Sequence, residues 1–123
     1  MEKTVLVVDD SATVRQQVSI ALKQAGFAIV QASDGNEGLA ALAADRSIVM
    51  VICDVNMPNM DGLEMVEQVK GKPEHKALPI LMLTTEGHPS LVKRAKEAGA
   101  IGWMVKPFDA NRLVQTVKHL TPA

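Results

Sequence analysis

Tyrosine is absent from this chain, and 123 residues include only one tryptophan, two phenylalanines and one cysteine. A core must therefore come from Val, Leu, Ile, Ala and Met, and the 47% hydrophobic content is enough to build one. The single cysteine, Cys53 in the apolar run VMVIC, excludes an internal disulfide and reads as a buried small hydrophobe in a reducing compartment. Surplus positive charge is missing too. Thirteen Lys and Arg against 14 Asp and Glu leave a net charge of -1, without the basic surface that nucleic acid or an anionic membrane selects. No apolar run approaches the roughly 20 residues that span a bilayer. The opening MEK leads straight into a strand-like segment, so it lacks the apolar stretch and cleavage site of a signal peptide. With no Pro-, Gly- or Ser-rich linker, the expectation is one cytoplasmic domain over residues 1–123, monomeric and partnered by a protein or small molecule.

Five short runs read as strands: Thr4–Val8, Ala28–Ala32, Ile48–Cys53, Ile80–Thr84 and Gly102–Val105. Most are apolar throughout, as strands covered on both faces are. Helical patterns lie between them. Val14, Val18, Ala21, Leu22 and Ala25 recur at helical spacing, with Asp10 or Ser11 to cap the start and Gly26 to stop it. Further helices are expected from about Asn36, over DGLEMVEQVK, from Pro89 to just before Gly99, and from Asp109 to just before Pro122. A β-α alternation repeated five times implies an α/β fold: a five-stranded parallel sheet with right-handed crossovers and helices on both faces.

Ligands of such sheets sit beyond the carboxyl ends of the strands. The first strand ends in Asp9 and Asp10, the third in Asp54, the fourth in Thr84 and Thr85, the fifth in Lys106; only the second, at QASDG, ends blandly. Asp9 and Asp10 are neighbours by covalent geometry, and two carboxylates repel by about 4 kcal/mol at about 4 Å in a surface-like dielectric. Hard oxygen ligands from Asp9, Asp10 and Asp54 suit Mg²⁺, which removes the conflict. Lys106 and Thr84 add a cation and a hydroxyl of the kinds that hold phosphoryl oxygens. Asp54 is the candidate nucleophile, because a carboxylate can accept a phosphoryl group as an aspartyl-phosphate. Each residue has a plainer role when taken singly: Asp9 and Asp10 as helix caps, Thr84 as a strand-end hydroxyl bonded to backbone, Lys106 as a solvated side chain. Their joint placement at four strand ends favours the functional reading.

The segments VVDDS, ICDVNMPNMDG, LTTE and GWMVKPF, in this order and spacing, resemble the receiver domain of two-component response regulators, in particular its stand-alone chemotaxis members. The resemblance covers essentially the whole chain. It implies a (βα)5 flavodoxin-like or CheY-like doubly wound sheet of strand order 2-1-3-4-5, an order carried over from that family, which is itself a standard example of it. It implies Asp54 as phosphoacceptor from the phosphohistidine of a sensor histidine kinase of the CheA type, and autocatalysis without conventional enzyme turnover. Asp10, Asp54 and the backbone carbonyl of Asn56 would ligate Mg²⁺, with Asp9 acting largely through water. Thr84 would turn its hydroxyl toward the phosphoryl group, Lys106 would pair with it, and Pro107 would follow a cis bond. Asn56 and Glu86 occupy positions associated with phosphate lifetime. Trp103 stands where the family usually carries a Tyr or Phe switch aromatic, and Gly87 nearby is small enough to leave it room.

The downstream partner implied is a protein such as a flagellar motor switch component, bound through a face including Lys93, Lys96, Trp103, Val105 and Lys118, with a phosphatase as a further partner. Roles as a phosphate sink, relay intermediate or pilus-motility regulator are the alternatives within the family. A Mg²⁺-dependent phosphohydrolase is a more distant one, since D-D after the first strand replaces the D-x-D of haloacid dehalogenase enzymes. No output domain is expected after Ala123. His75, His88 and His119 are scattered and expected at the surface, whereas Met57, Met60 and Met65 are expected to pack around the loop and third helix.

Overall fold

The computed structural model describes residues 3–121, so the expected stop at Pro122 lies outside it. Five parallel strands, β1 (Thr4–Val8), β2 (Ala28–Ala32), β3 (Ile48–Cys53), β4 (Ile80–Thr84) and β5 (Gly102–Val105), run in the order β2-β1-β3-β4-β5. Five α-helices alternate with them: α1 (Ala12–Gln24), α2 (Gly35–Ala44), α3 (Gly62–Lys70), α4 (Pro89–Ala98) and α5 (Ala110–Leu120). The strand limits coincide with the apolar runs of the sequence, and the order is the one the resemblance implied.

Because successive strand residues face opposite sides, each apolar run serves two cores. Val5, Val7, Met50, Ile52, Leu81 and Leu83 pack with Val18 and Leu22 of α1 and with Leu113 and Val117 of α5. Leu6, Val8, Val51, Cys53, Ile80 and Met82 pack with Leu42 of α2, Leu63, Val66 and Val69 of α3, and Ala95 of α4. A side chain of this size, fully buried, contributes about 2 kcal/mol. The edge strands depart from the expectation of burial on both faces: β2 and β5 are largely half-buried, and Val105 is 48% exposed. Each has a hydrogen-bonded neighbour on one side only.

Local chemistry sets the helix limits. Ser11, not Asp10, caps α1, its hydroxyl accepting from the Val14 N–H at 3.3 Å. Asp34, Asp61 and Asp109 cap α2, α3 and α5 in the same way. The start of α2 at Gly35 is one residue before the expected Asn36. Gly99 ends α4 in the left-handed conformation, φ 116°, which glycine adopts without a Cβ penalty. His88 lies at the surface as expected, and there its Nδ1 accepts from the Ser90 N–H at 3.1 Å and caps α4. His75 is half-buried in a 3-10 turn, Pro73–His75, that periodicity did not reveal. The Lys70 ammonium donates to the carbonyls of His75, Lys76 and Leu78, tying this turn to the end of α3. Met65 is buried, and Met57 and Met60 pack partly buried against the same core, as expected.

Among the described residues, no helix is long and apolar enough to cross a membrane.

Candidate functional site

Parallel strands deliver their carboxyl ends to one edge of the sheet, and the residues flagged at four of those ends meet there. Asp9 follows β1, Asp54 follows β3, Thr84 ends β4 and Lys106 follows β5. Carboxylate oxygens of Asp9, Asp10 and Asp54 all lie within 4.8 Å of one another. Asp9 and Asp54 are buried, 2% and 7% exposed, whereas Asp10 is open to solvent. Two walled carboxylates and one accessible one form a hard-oxygen donor set that fits Mg²⁺ and leaves it a route of entry.

Lys106 bridges the buried pair, its Nζ 2.7 Å from Asp9 Oδ2 and 3.2 Å from Asp54 Oδ2. Burial pushes the Asp9 carboxyl above the usual carboxylate range, and this outweighs the Lys106 hydrogen bond that opposes it. Burial on its own would lower Lys106, but its two carboxylate partners more than compensate and raise it, so the ammonium stays charged. The backbone fixes the remaining oxygens: Asp9 Oδ1 accepts the Ser11 N–H at 2.9 Å, and Asp54 Oδ1 accepts the Val55 N–H at 2.7 Å. Asp9 thus has a local backbone role as well as a place in the cluster. The peptide bond between Lys106 and Pro107 is cis.

Thr84 is fully buried, and its hydroxyl oxygen accepts the Glu86 N–H at 3.2 Å. Glu86 and Asn56 meet across the mouth of the site, the Asn56 amide donating to the Glu86 carboxylate at 3.0 Å. The half-buried Trp103 donates its indole N–H to the Glu86 carbonyl at 2.9 Å, tying β5 to the segment after β4. Gly87 leaves space there: a Cβ on it would only reach ordinary contact with Val105 Cγ2, at 3.8 Å. Lys93, Lys96, Val105 and Lys118 are exposed.

Two groups were passed over in the sequence. Arg15 donates to the Asp9 carbonyl at 2.6 Å and to Gln31 at 3.2 Å, bringing a guanidinium to the acidic loop; one turn of helix from the cap is its only sequence signal. Asp34 makes the end of β2 anything but bland, since it caps α2 and also accepts from Asn59 at 2.8 Å. An Asp three residues before Glu37 was the available signal, and the Glu37 carboxylate does reach back to the Ser33 N–H at 2.9 Å.

The family model for the response regulator receiver domain matches residues 5–118. Chemotaxis protein CheY1 of Helicobacter pylori is 39% identical over 104 residues, 84% of this chain and 84% of that protein. The two-component response regulator ORR3 of Oryza sativa is 33% identical over 119 residues, 94% of this chain and 91% of that protein. The structure of the chemotaxis protein CheY4 of Vibrio cholerae superposes with a TM-score of 0.92 at 43% identity, covering 98% of this chain and 99% of that one. Fold, site geometry and sequence therefore agree, and the chain belongs to the response regulator receiver domain family.

Proposed function

We propose that this protein is a cytoplasmic phosphorylation switch of a chemotaxis pathway, with Asp54 as phosphoacceptor from a CheA-like sensor histidine kinase. The observation that carries the reading is the Lys106 ammonium held between two buried carboxylates, 2.7 Å from Asp9 and 3.2 Å from Asp54. Such a charge is already in place for the oxygens of an incoming phosphoryl group. An Asp54 carboxylate oxygen attacks phosphorus as the P–N bond of phosphohistidine breaks, and the electron pair leaves with the imidazole. Lys106 neutralises the developing charge, and the buried Thr84 hydroxyl rotates from its contact with the Glu86 N–H to donate to the phosphoryl oxygens. Asp10, Asp54 and the Asn56 carbonyl would hold Mg²⁺, with Asp9 reaching it through water; when bound, the ion supplies further charge neutralisation. Catalysis is then mostly positioning and electrostatics.

The donor's approach is supported by an apolar groove of about 640 Å³ lined by Val14, Gln17, Ile20 and Ala21 of α1 and by Pro107 and Phe108, continuous with Lys106 and Thr85. Its proposed occupant is the surface of the kinase around the phosphohistidine. Release of the phosphoryl group is by water attack at the mouth, where Asn56 and Glu86 stand.

The phosphoryl group, at roughly -1.5 to -2 in place of the single carboxylate charge, draws on Thr84 and Lys106. Movement of the segment after Thr84 shifts the Glu86 carbonyl that holds Trp103, and so biases the face formed by α4, β5 and α5. The exposed Lys93, Lys96, Val105 and Lys118 of that face contact the downstream protein, a flagellar motor switch component, a reading supported by the likeness to chemotaxis proteins.

The test is the intact mass after incubation with acetyl phosphate and Mg²⁺, beside a chelated sample and the Asp54→Asn variant. A single Mg²⁺-dependent phosphoryl adduct, absent from Asp54→Asn, is expected. Its absence in wild type under conditions that slow hydrolysis would remove the phosphoacceptor assignment.

A further inference from the structure

The segment from Asp54 to Asp61 carries the phosphoacceptor and Asn56, and it is tied down from its far end by groups that take no part in the chemistry above. Asn59 lies at φ 67°, a left-handed conformation that asparagine adopts more readily than most residues with a Cβ. Its side chain is held there by a charge-assisted hydrogen bond: Asn59 Nδ2 donates to Asp34 Oδ2 at 2.8 Å. Asp34 is 7% exposed, and its other oxygen accepts the Glu37 N–H at 2.9 Å as the cap of α2. One carboxylate thus anchors both a helix and the phosphoacceptor loop.

The two segments are joined a second time, by the backbone. The Gly35 N–H donates to the Met60 carbonyl at 3.2 Å, and a Cβ on Gly35 would come within 2.7 Å of Met60 Cγ. On its near side the loop is closed by the Gly62 N–H donating to the Val55 carbonyl at 2.8 Å. Asn56 lies between these ties.

We propose that Asp34 and Asn59 are positioning residues for the phosphoryl-transfer site, their clasp setting the loop that presents the Asn56 main-chain carbonyl to the divalent cation. The inference rests on the receiver reading above. When the clasp is absent, the loop populates other conformations, and an ion that needs one of them binds in proportion to its population. The loss therefore falls on ion affinity, whereas a contact serving only the fold would lower stability alone.

Calorimetric titration of Mg²⁺ into wild type, Asn59→Gly, Asn59→Asp and the double variant Asp34→Asn with Asn59→Asp tests this, alongside thermal melts. Asn59→Gly keeps the backbone conformation accessible and removes only the amide. Its Mg²⁺ dissociation constant is expected to rise about tenfold, the scale of an outer partner of a metal site. Asn59→Asp, which sets two carboxylates against each other, is expected to rise further. The exchanged pair restores an amide facing a carboxylate and should return to within about threefold of wild type. Phosphoryl uptake by Asn59→Gly should approach the wild-type rate at saturating Mg²⁺. Affinities of both single variants within twofold of wild type, with only a lower melting temperature, would overturn the proposal. So would an exchanged pair no better than Asn59→Asp alone. A wild-type protein that binds no Mg²⁺ would remove the phosphorylation-switch reading and this inference together, whereas the outcomes above remove this inference alone.

Discussion

Lys106 sets the charge balance of the site. It is 13% exposed, and it is the cation recorded in contact with both Asp9 and Asp54. Replacing it by methionine keeps the stem and removes the charge. Phosphoryl uptake from acetyl phosphate is expected to slow by on the order of 10²-fold, the effect of deleting one donor to a developing oxyanion. Mg²⁺ should bind more tightly to the same variant, because the ammonium no longer competes for the two carboxylates; titration of the ion into both proteins measures this. Cys53, the neighbour of Asp54, is held uncharged. Burial raises the Cys53 thiol far above its ordinary range, with Asp54 and Asp9 adding to the effect, so at neutral pH almost no thiolate exists. Iodoacetamide is expected to leave the native protein unlabelled and to label it once in denaturant, which intact mass would show. Rapid native labelling would contradict that burial.

At the scale of elements, two junctions carry most of the positional information. Gly62 opens α3 directly against Asp54: a Cβ there would fall 1.8 Å from the Asp54 carbonyl oxygen, and backbone cannot yield as a side-chain tip can. Gly62→Ala is expected to cost about 3 kcal/mol, at the upper end for overpacking, and to impair phosphoryl uptake more than a distant variant of equal instability. Leu22→Ala is such a comparison. It empties a fully buried position near the far end of α1 and should cost about 3 kcal/mol as a core cavity. The β2–α2 junction adds a pH dependence. The Glu37 N–H, and after it the Asn59 amide, hold the Asp34 carboxyl below the usual carboxylate range. A group whose pKa is depressed by folding contributes stability above its unfolded pKa and loses it as pH falls through the folded value. The stability gap between wild type and Asp34→Ala should therefore be widest near neutral pH and narrow in acid, as urea melts from pH 7 downward would record.

For the whole molecule, the parallel sheet gathers acidic side chains at one edge. Three carboxylates from two strand ends converge there, and an ion that binds only the folded chain stabilises it by mass action. Mg²⁺ at about 100 times its dissociation constant is expected to add about 2.7 kcal/mol, seen as a raised melting temperature that a chelator reverses. An unchanged melting temperature at every Mg²⁺ concentration would argue that the cluster binds no ion. The same architecture puts the proposed output face, with exposed Val105 and Lys93, on the β5 side of the sheet, two strands from β3 and Asp54.

The sequence by itself determined the elements and the site's inventory. Runs such as VLVVDD and LMLTT are apolar because a central parallel strand is covered on both faces, and they turn polar where the strand leaves the sheet. That transition marks Asp9, Asp54, Thr84 and Lys106 in the sequence alone. Strand order was legible only through the family resemblance, since periodicity shows which face is buried and says nothing of which strand lies beside which. Tertiary structure alone decided the contacts between residues far apart in the chain. The Lys106 bridge to Asp9, the indole of Trp103 on the Glu86 carbonyl, Asn56 on Glu86 and Asn59 on Asp34 each join separate loops. No local pattern encodes such pairs; each exists because the parallel sheet carries its loops to the same edge, where hydrogen-bonding groups removed from water must find one another.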